Sequence, residues 1–466
     1  MQGVLNENQI EYVLYHLGFH LKITDELRAY FRFEKPDSDK NRQSPCIVFP
    51  LSSGALKDDK VVTIHDIPVL YGIDESSDVF RWENNTLIYN HDFLKSAFYL
   101  LSGYQETVST RRDHFNRFPF KGSFQQKHKA VSKPLVNYYF RFIGEGIMAF
   151  CKKHGIPLDG NKIFPDFGFL LSHDVDIIDT YALREVLYRF KILFIRKLSK
   201  HSFFYDVGNA ITYLVNYLKV FNRPNPHWDF EYLVGEAQRR QFTSTFYFLH
   251  KDLKRHDSYY RFDERRMKRL FRDLNEKGCE IGLHGSTRSA SDYNVLKKHK
   301  EMLEENAETS VSGIRQHRLI HLNQTTTRIQ ESAGFKYDAT LGFAEHEGFR
   351  HSFCFPFRLY DFENDRMTHI WHIPLIVMDA TLYMYRKTSP DAAFKSVRRL
   401  VEECKKFNGV FTLLWHNGNF DDEQYPGGKE LFESILDLVK DANGRSMTGI
   451  ECIDIICRHL GTVNRK

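Results

Sequence analysis

From about residue 164 onward the chain alternates short apolar runs with amphipathic stretches, and this alternation constrains the fold more than any other feature. The runs "FGFLLSHDV", "TSTFYFL", "CEIGLHG", "VSGIRQH", "KYDATLG", "HIWHIPLIVMD" and "GVFTLLWHN" read as strands. Between most of them lie segments of helical period, such as "FEYLVGEAQRRQ", "DERRMKRLFRDLNEKG", "SDYNVLKKHKEMLEEN" and "DAAFKSVRRLVEECKKF", each long enough to cross over a sheet. About seven strand–helix repeats imply a parallel sheet, and a closed or nearly closed barrel is the natural way to bury both of its faces. The expected fold class is therefore α/β: a (β/α) barrel over residues 164–466.

The residues ahead of the barrel have a different texture. Residues 1–130 read as a smaller N-terminal α/β domain, with a helix in "NENQIEYVLYHLGF" after an Asn cap and strands in "CIVFPLS", "KVVTIHDIPVLYG" and "NTLIYN". Residues 131–163 supply a bridging helix that ends near Gly155. The basic, amphipathic insertion "LREVLYRFKILFIRKLSKHSFFYDVGNAITYLVNYLKVF" reads as a helical excursion packed on the barrel. At 466 residues, with 42% hydrophobic and 15% aromatic residues, the chain has ample material for a large core.

Composition excludes some functions. A net charge of +5 is small for this length and its basic residues are scattered, which argues against a nucleic-acid partner. No stretch approaches the roughly 20 apolar residues of a membrane span. Seven Cys form no CxxC pair, and the N-terminus has no export-signal pattern, so a soluble cytoplasmic protein with free thiols is expected.

Chemistry-bearing residues gather where each expected strand ends. In parallel β/α folds that rim is where loops open and reactive groups collect. The first strand ends in His173, Asp174, Val175 and Asp176; the third ends in His284; the fourth ends in Arg315 and His317. The fifth carries Asp338, the sixth ends in Asp379, and the seventh in Trp415, His416 and Asn417. Strand alternation turns Asp174 and Asp176 to one side, so that one can serve as a base while the other binds a cation. Carboxylate and imidazole ligands with an open position suit metal-assisted hydrolysis, and an arginine such as Arg315 would keep the base ionised.

In the order "LSHDVD", "STFYFL", "EIGLHGS", "GIRQHRL", "DATLGFAEHEGFR" and "LLWHN", these motifs resemble the polysaccharide deacetylase-like, or NodB-homology, family. More closely, they look like its bacterial subgroup with an HDVD first motif and an accessory N-terminal domain. The resemblance implies a distorted (β/α)7 barrel and removal of an acetyl group from an N-acetylated sugar or polysaccharide precursor, a carbon–nitrogen bond that is not a peptide. It implies Asp174 as catalytic base, Arg315 as its partner, His416 as general acid, and Asp176 and His284 as ligands of a divalent ion, zinc foremost, with nickel or cobalt as alternatives. His173, His317, Asp379, Arg288 and Trp415 are candidates for substrate binding or for supporting the ligands.

The family pattern is broken in a small way at Val175, where relatives have a second adjacent Asp that Asp176 can replace. It is broken more seriously at one ligand, leaving water, His173 or Ser289 to join Asp176 and His284. Its second histidine ligand falls four residues after the first, where this chain has Arg288. A guanidinium stays protonated and cannot ligate a cation. The expected function is accordingly a metal-dependent carbohydrate N-deacetylase; the alternative is a catalytically impaired barrel that binds carbohydrate or a biosynthetic partner.

Overall fold

The computed structural model describes the chain except for residues 1–2, 37–43, 58–59, 74, 196–201, 221–224, 253–256, 421–424 and 462–466. Near the start, helix Glu7–Leu17 is nucleated by a reciprocal cap: the Asn6 side chain accepts from the Gln9 amide while the Gln9 side chain accepts from the Asn6 amide. A four-stranded sheet follows, in the order Phe31–Glu34, Cys46–Pro50, Thr86–Tyr89, Phe80–Glu83, the first three parallel and the last pair antiparallel. The segment expected as one strand, "KVVTIHDIPVLYG", is instead the hairpin Val62–Ile64 and Ile67–Val69. Its two turn residues, His65 and Asp66, both take positive φ (47° and 62°), the combination a tight two-residue hairpin turn requires. Helix Leu135–His154 ends at Gly155, whose φ of 66° costs a residue without Cβ nothing.

The strand–helix alternation yields a nine-stranded sheet in which every pairing is parallel. Around it run Trp371–His372, Tyr337–Asp338, Gly313–Gln316, Glu280–Gly285, Ser244–Leu249, Phe167–Val175, Val410–Leu414 and Val377–Met378, with Gly444–Ser446 pairing with Phe167–Val175 off this path. The two ends of the path are consecutive pieces of one stretch, Trp371–Met378. Its start pairs with Tyr337–Asp338 and its end with Val410–Leu414, which brings the sheet round on itself. The expected sixth strand is thus present in two short pieces on either side of Pro374, which has no amide hydrogen for a ladder. The result is a distorted parallel barrel of the kind expected, with its first strand Phe167–Val175 buried along its whole length.

The insertion folds as helices Leu183–Phe194 and Phe203–Tyr217 packed on each other, with residues 196–201 and 221 of the predicted excursion outside the described residues. One apolar core runs through the N-terminal unit and the barrel. The two are also tied by a buried ion pair: the Arg350 guanidinium donates to both oxygens of Glu106, at 2.8 and 2.7 Å. Such a pair is costly to bury and costlier to break, because either partner alone would be an uncompensated charge. All seven Cys are buried free thiols.

Candidate active site

The first, third and fourth strands of the barrel deliver the central cluster. Asp174 lies opposite Tyr247 in the ladder between the first and second strands, and His284 lies opposite Arg315 in the ladder between the third and fourth. His317 follows directly on the end of the fourth strand and Asp176 on the end of the first, which brings both to the same rim as Arg315 and Asp174. Asp176, His284 and His317 each offer a ligand atom, and these atoms lie within 4.8 Å of one another. His284 Nε2 is 3.2 Å from Asp176 Oδ1, and His317 Nε2 is 3.6 Å from Asp176 Oδ2.

The outer nitrogens of both rings are already committed. His284 Nδ1 donates to the Arg315 carbonyl at 2.8 Å, and His317 Nδ1 faces the Asp257 carboxylate at 3.0 Å. Asp257 is itself fixed by the amide and hydroxyl of Thr287. These anchors leave each Nε2 lone pair directed at Asp176, the arrangement that orients metal-binding imidazoles. Asp176 Oδ1 is buried without a hydrogen-bond partner among the described atoms and lies 3.2 Å from His284 Nε2. A divalent cation between them would give that oxygen a partner, and the two-nitrogen, one-carboxylate set fits such an ion. Burial would lower the His317 pKa, but Asp176 and Asp257 more than offset it and hold it up at about 9. In the metal-free protein a proton thus takes the cation's place.

Beside this group sits the second carboxylate. Burial alone would raise the pKa of Asp174; Arg315, with His284 and His416, brings it below the ordinary value. Arg315 Nη1 donates to Asp174 Oδ1 at 2.8 Å and to Ser172 Oγ at 3.0 Å, its Nε donates to the Ala339 carbonyl, and its guanidinium lies 4.4 Å from the Tyr247 ring centroid. The carboxylate is therefore both ionised and immobile.

His416 completes the rim. Its Nδ1 lies 2.7 Å from Asp379 Oδ1, and its amide donates to Asp379 Oδ2. Asp379 also accepts from the Ala380 amide and the Asn419 side chain, which hold it rigidly. Burial opposes a charge on His416, but Asp379 first, then Asp176 and Asp174, raise its pKa to about 10.

Other candidates fall elsewhere. His173 alternates away from Asp174; it contacts the Trp415 carbonyl at 2.8 Å and packs on Phe246, so it joins strands rather than facing the cluster. Trp415, a candidate for substrate binding, is fully buried against Phe420 and Phe432 and offers no face to a ligand. Arg288 pairs with Asp252 and Asp292 at the surface. Asp338 lies against His321 and His372 instead of with Asp174 and Asp176. Two contributions were not legible beforehand: His317 as the third ligand-type side chain, and Asp257 as its anchor, whose position in a loop of no recognisable pattern gave no signal.

Comparison with known proteins adds the following. Residues 6–150 match a family of unknown function (DUF7033). No curated protein matches the chain. Among solved structures, the chain is similar to a protein from Mycobacterium smegmatis assigned as a polysaccharide deacetylase, at 17% identity and TM-score 0.42, covering 66% of this chain and 94% of that one. It is also similar to a PuuE allantoinase at 12% identity and TM-score 0.40, covering 64% and 91%. A third likeness is to a CE4 family pseudoenzyme from Bacillus anthracis at 11% identity and TM-score 0.32, covering 62% and 66%.

Proposed function

We propose that this protein is a divalent-metal-dependent hydrolase that removes an acetyl group from an N-acetylated sugar or polysaccharide precursor. The observation that carries the reading is the convergence of Asp176, His284 and His317, with both imidazoles anchored at their outer nitrogens, beside an arginine-held Asp174 and an aspartate-held His416. The substrate class comes from the sequence resemblance; the reaction class comes from the site.

Asp176, His284 and His317 would hold the ion, zinc best matching two nitrogens and one carboxylate, with cobalt or nickel as substitutes. Bound there, it supplies Lewis acidity toward the amide carbonyl and its attacking water. Asp174, ionised at neutral pH, accepts the water's proton as the C–O bond forms. Arg315 keeps that carboxylate charged and stationary, and so presents its free oxygen to the water. His416, carrying a proton at neutral pH, gives it to the departing nitrogen as the C–N bond breaks. Acetate and a free amine result, and the proton taken at Asp174 balances the one lost from His416.

The alternative of a barrel without metal rested on Arg288 standing where a ligand is expected. His317 supports the metal-dependent reading instead, because it offers a second nitrogen from the end of the neighbouring strand. Acetate release from a panel of N-acetylated mono- and oligosaccharides tests the proposal, with zinc-loaded protein. Asp174→Asn is expected to lower kcat by about 10²–10⁴-fold while retaining metal. Undiminished turnover in that variant removes Asp174 from the role of base.

A further inference from the structure

A second group of imidazole and carboxylate side chains lies apart from the candidate active site and has no part in the mechanism above. Its centre is Asp338. In the two-residue strand Tyr337–Asp338 the side chains alternate. Tyr337 contacts Tyr247, the ring beneath Arg315, and so lies on the barrel side; Asp338 takes the opposite face. In the parallel ladder Asp338 stands opposite His372. His321 reaches the same point from the chain that follows the fourth strand.

The three side chains are fully buried. Asp338 Oδ2 is 3.3 Å from His372 Nδ1 and 3.8 Å from His321 Nε2, and one ligand atom from each residue lies within 4.8 Å of the others. The imidazole planes cross at 83°. Thr340 Oγ1 donates to Asp338 Oδ1, which leaves Oδ2 aimed at the two rings. These separations match those around Asp176, at 3.2 and 3.6 Å. Ligands about 2.0–2.1 Å from a tetrahedral ion stand about 3.3 Å from each other, so little movement would seat a cation.

Hydrogen bonding leaves the group poorly satisfied without one. His321 Nδ1 and His372 Nε2 are buried and have no partner among the described atoms. Whichever nitrogen of His321 carries its proton, Nε2 is too far from Asp338 Oδ2 for a hydrogen bond and its contact to Thr327 Oγ1 is long, at 3.4 Å. Nearby, the hydrogen bonds of Arg350 go to Glu106 and to the Gly342 carbonyl. Within the group, His372 Nδ1 donates to Asp338 Oδ2 at 3.3 Å. The buried Asp338 carboxylate thus faces two imidazoles that each keep a buried nitrogen without a partner among the described atoms, a setting that a cation would complete.

We propose that His321, Asp338 and His372 form a second divalent-cation site, structural in role and taking zinc or a similar ion that prefers nitrogen and oxygen ligands. It lies on the outer face of the barrel sheet, where the fourth, fifth and sixth strand segments meet the N-terminal unit through Glu106 and Arg350. Sealed from solvent, it has no access for a substrate. Its work is to pin the turn after the fourth strand to the neighbouring strands, and its binding energy is folding energy.

The full chain, purified without chelator, is expected to contain about two zinc ions per molecule. The double substitution His284→Ala with His317→Ala empties the first site and leaves about one. Reloaded with Co²⁺ alone, that variant shows the visible absorption of a tetrahedral cobalt–imidazole complex, and adding His321→Gln abolishes it. His321→Gln in the otherwise unchanged protein lowers zinc by about one equivalent and the thermal midpoint with it, while the first site still binds. Loss of all metal in the His284→Ala, His317→Ala protein, with a normal circular dichroism spectrum, overturns the proposal. So does an unchanged cobalt spectrum on adding His321→Gln. Because the first site is emptied in the decisive variant, failure here leaves the hydrolase reading untouched, and failure of the hydrolase reading leaves this site standing.

Discussion

His317 makes a quantitative prediction about metal affinity. Its pKa stands at about 9 in the metal-free protein, raised against burial by Asp176 and Asp257. To ligate, the ring must be neutral at Nε2. At pH 7 the group is two units below its pKa, so displacing the proton costs about 2.7 kcal/mol, or about 100-fold in apparent affinity. The sign follows directly: zinc binding strengthens about tenfold per pH unit from 7 toward 9, then levels off as the competing proton is lost, and near pH 7 His317 releases about one proton per zinc bound. Calorimetry in buffers of different ionisation enthalpy counts that proton, and chelator competition gives the affinity. Asp257→Asn removes one of the two carboxylates that hold the proton. The levelling-off then moves to lower pH, while affinity on the plateau falls about 10–100-fold, because the ring is less firmly oriented. Its polar contacts to Thr287 can be remade by an amide, so the fold should survive. An affinity flat between pH 7 and 9, unchanged by Asp257→Asn, would show that His317 does not bind the ion.

Three further outcomes test other parts of the site and fold. Asp379→Asn removes the main cause of the raised His416 pKa, so the basic limb of kcat/KM against pH should move to lower pH; an unmoved limb excludes His416 as the acid. Arg288→Ala should leave metal content unchanged, since its ion pairs with Asp252 and Asp292 lie at the surface; loss of zinc would mean that the arginine supports the ligands after all. Glu106→Gln leaves the buried Arg350 without its countercharge and should cost about 3–5 kcal/mol in urea unfolding, whereas a change below about 1 kcal/mol would show that the N-terminal unit and barrel are held by apolar packing alone.

The residues also show why part of the site was legible in the chain and part was not. Asp174 and Asp176 could be read together because their relation is local: two residues apart on one strand means one face. His284, Arg315 and His416 could be placed because each ends an apolar run, and parallel strands open their chemistry at one rim. The second nitrogen required register, which no local pattern encodes. A search along the third strand beyond His284 stops at Arg288, whose charge excludes it. Only the pairing of His284 with Arg315 shows that His317, in the turn just past the end of the neighbouring strand, meets the same point. The same logic separates Asp338 from the rim aspartates. It too ends a strand, but it takes the opposite face of its strand from Tyr337, which places it among His321 and His372. Spacing within a strand thus identifies which side chains share a face, while the ladder between strands decides which of them meet. In this barrel, that distinction allows Arg288 to occupy a ligand's expected position without removing the second nitrogen from the site.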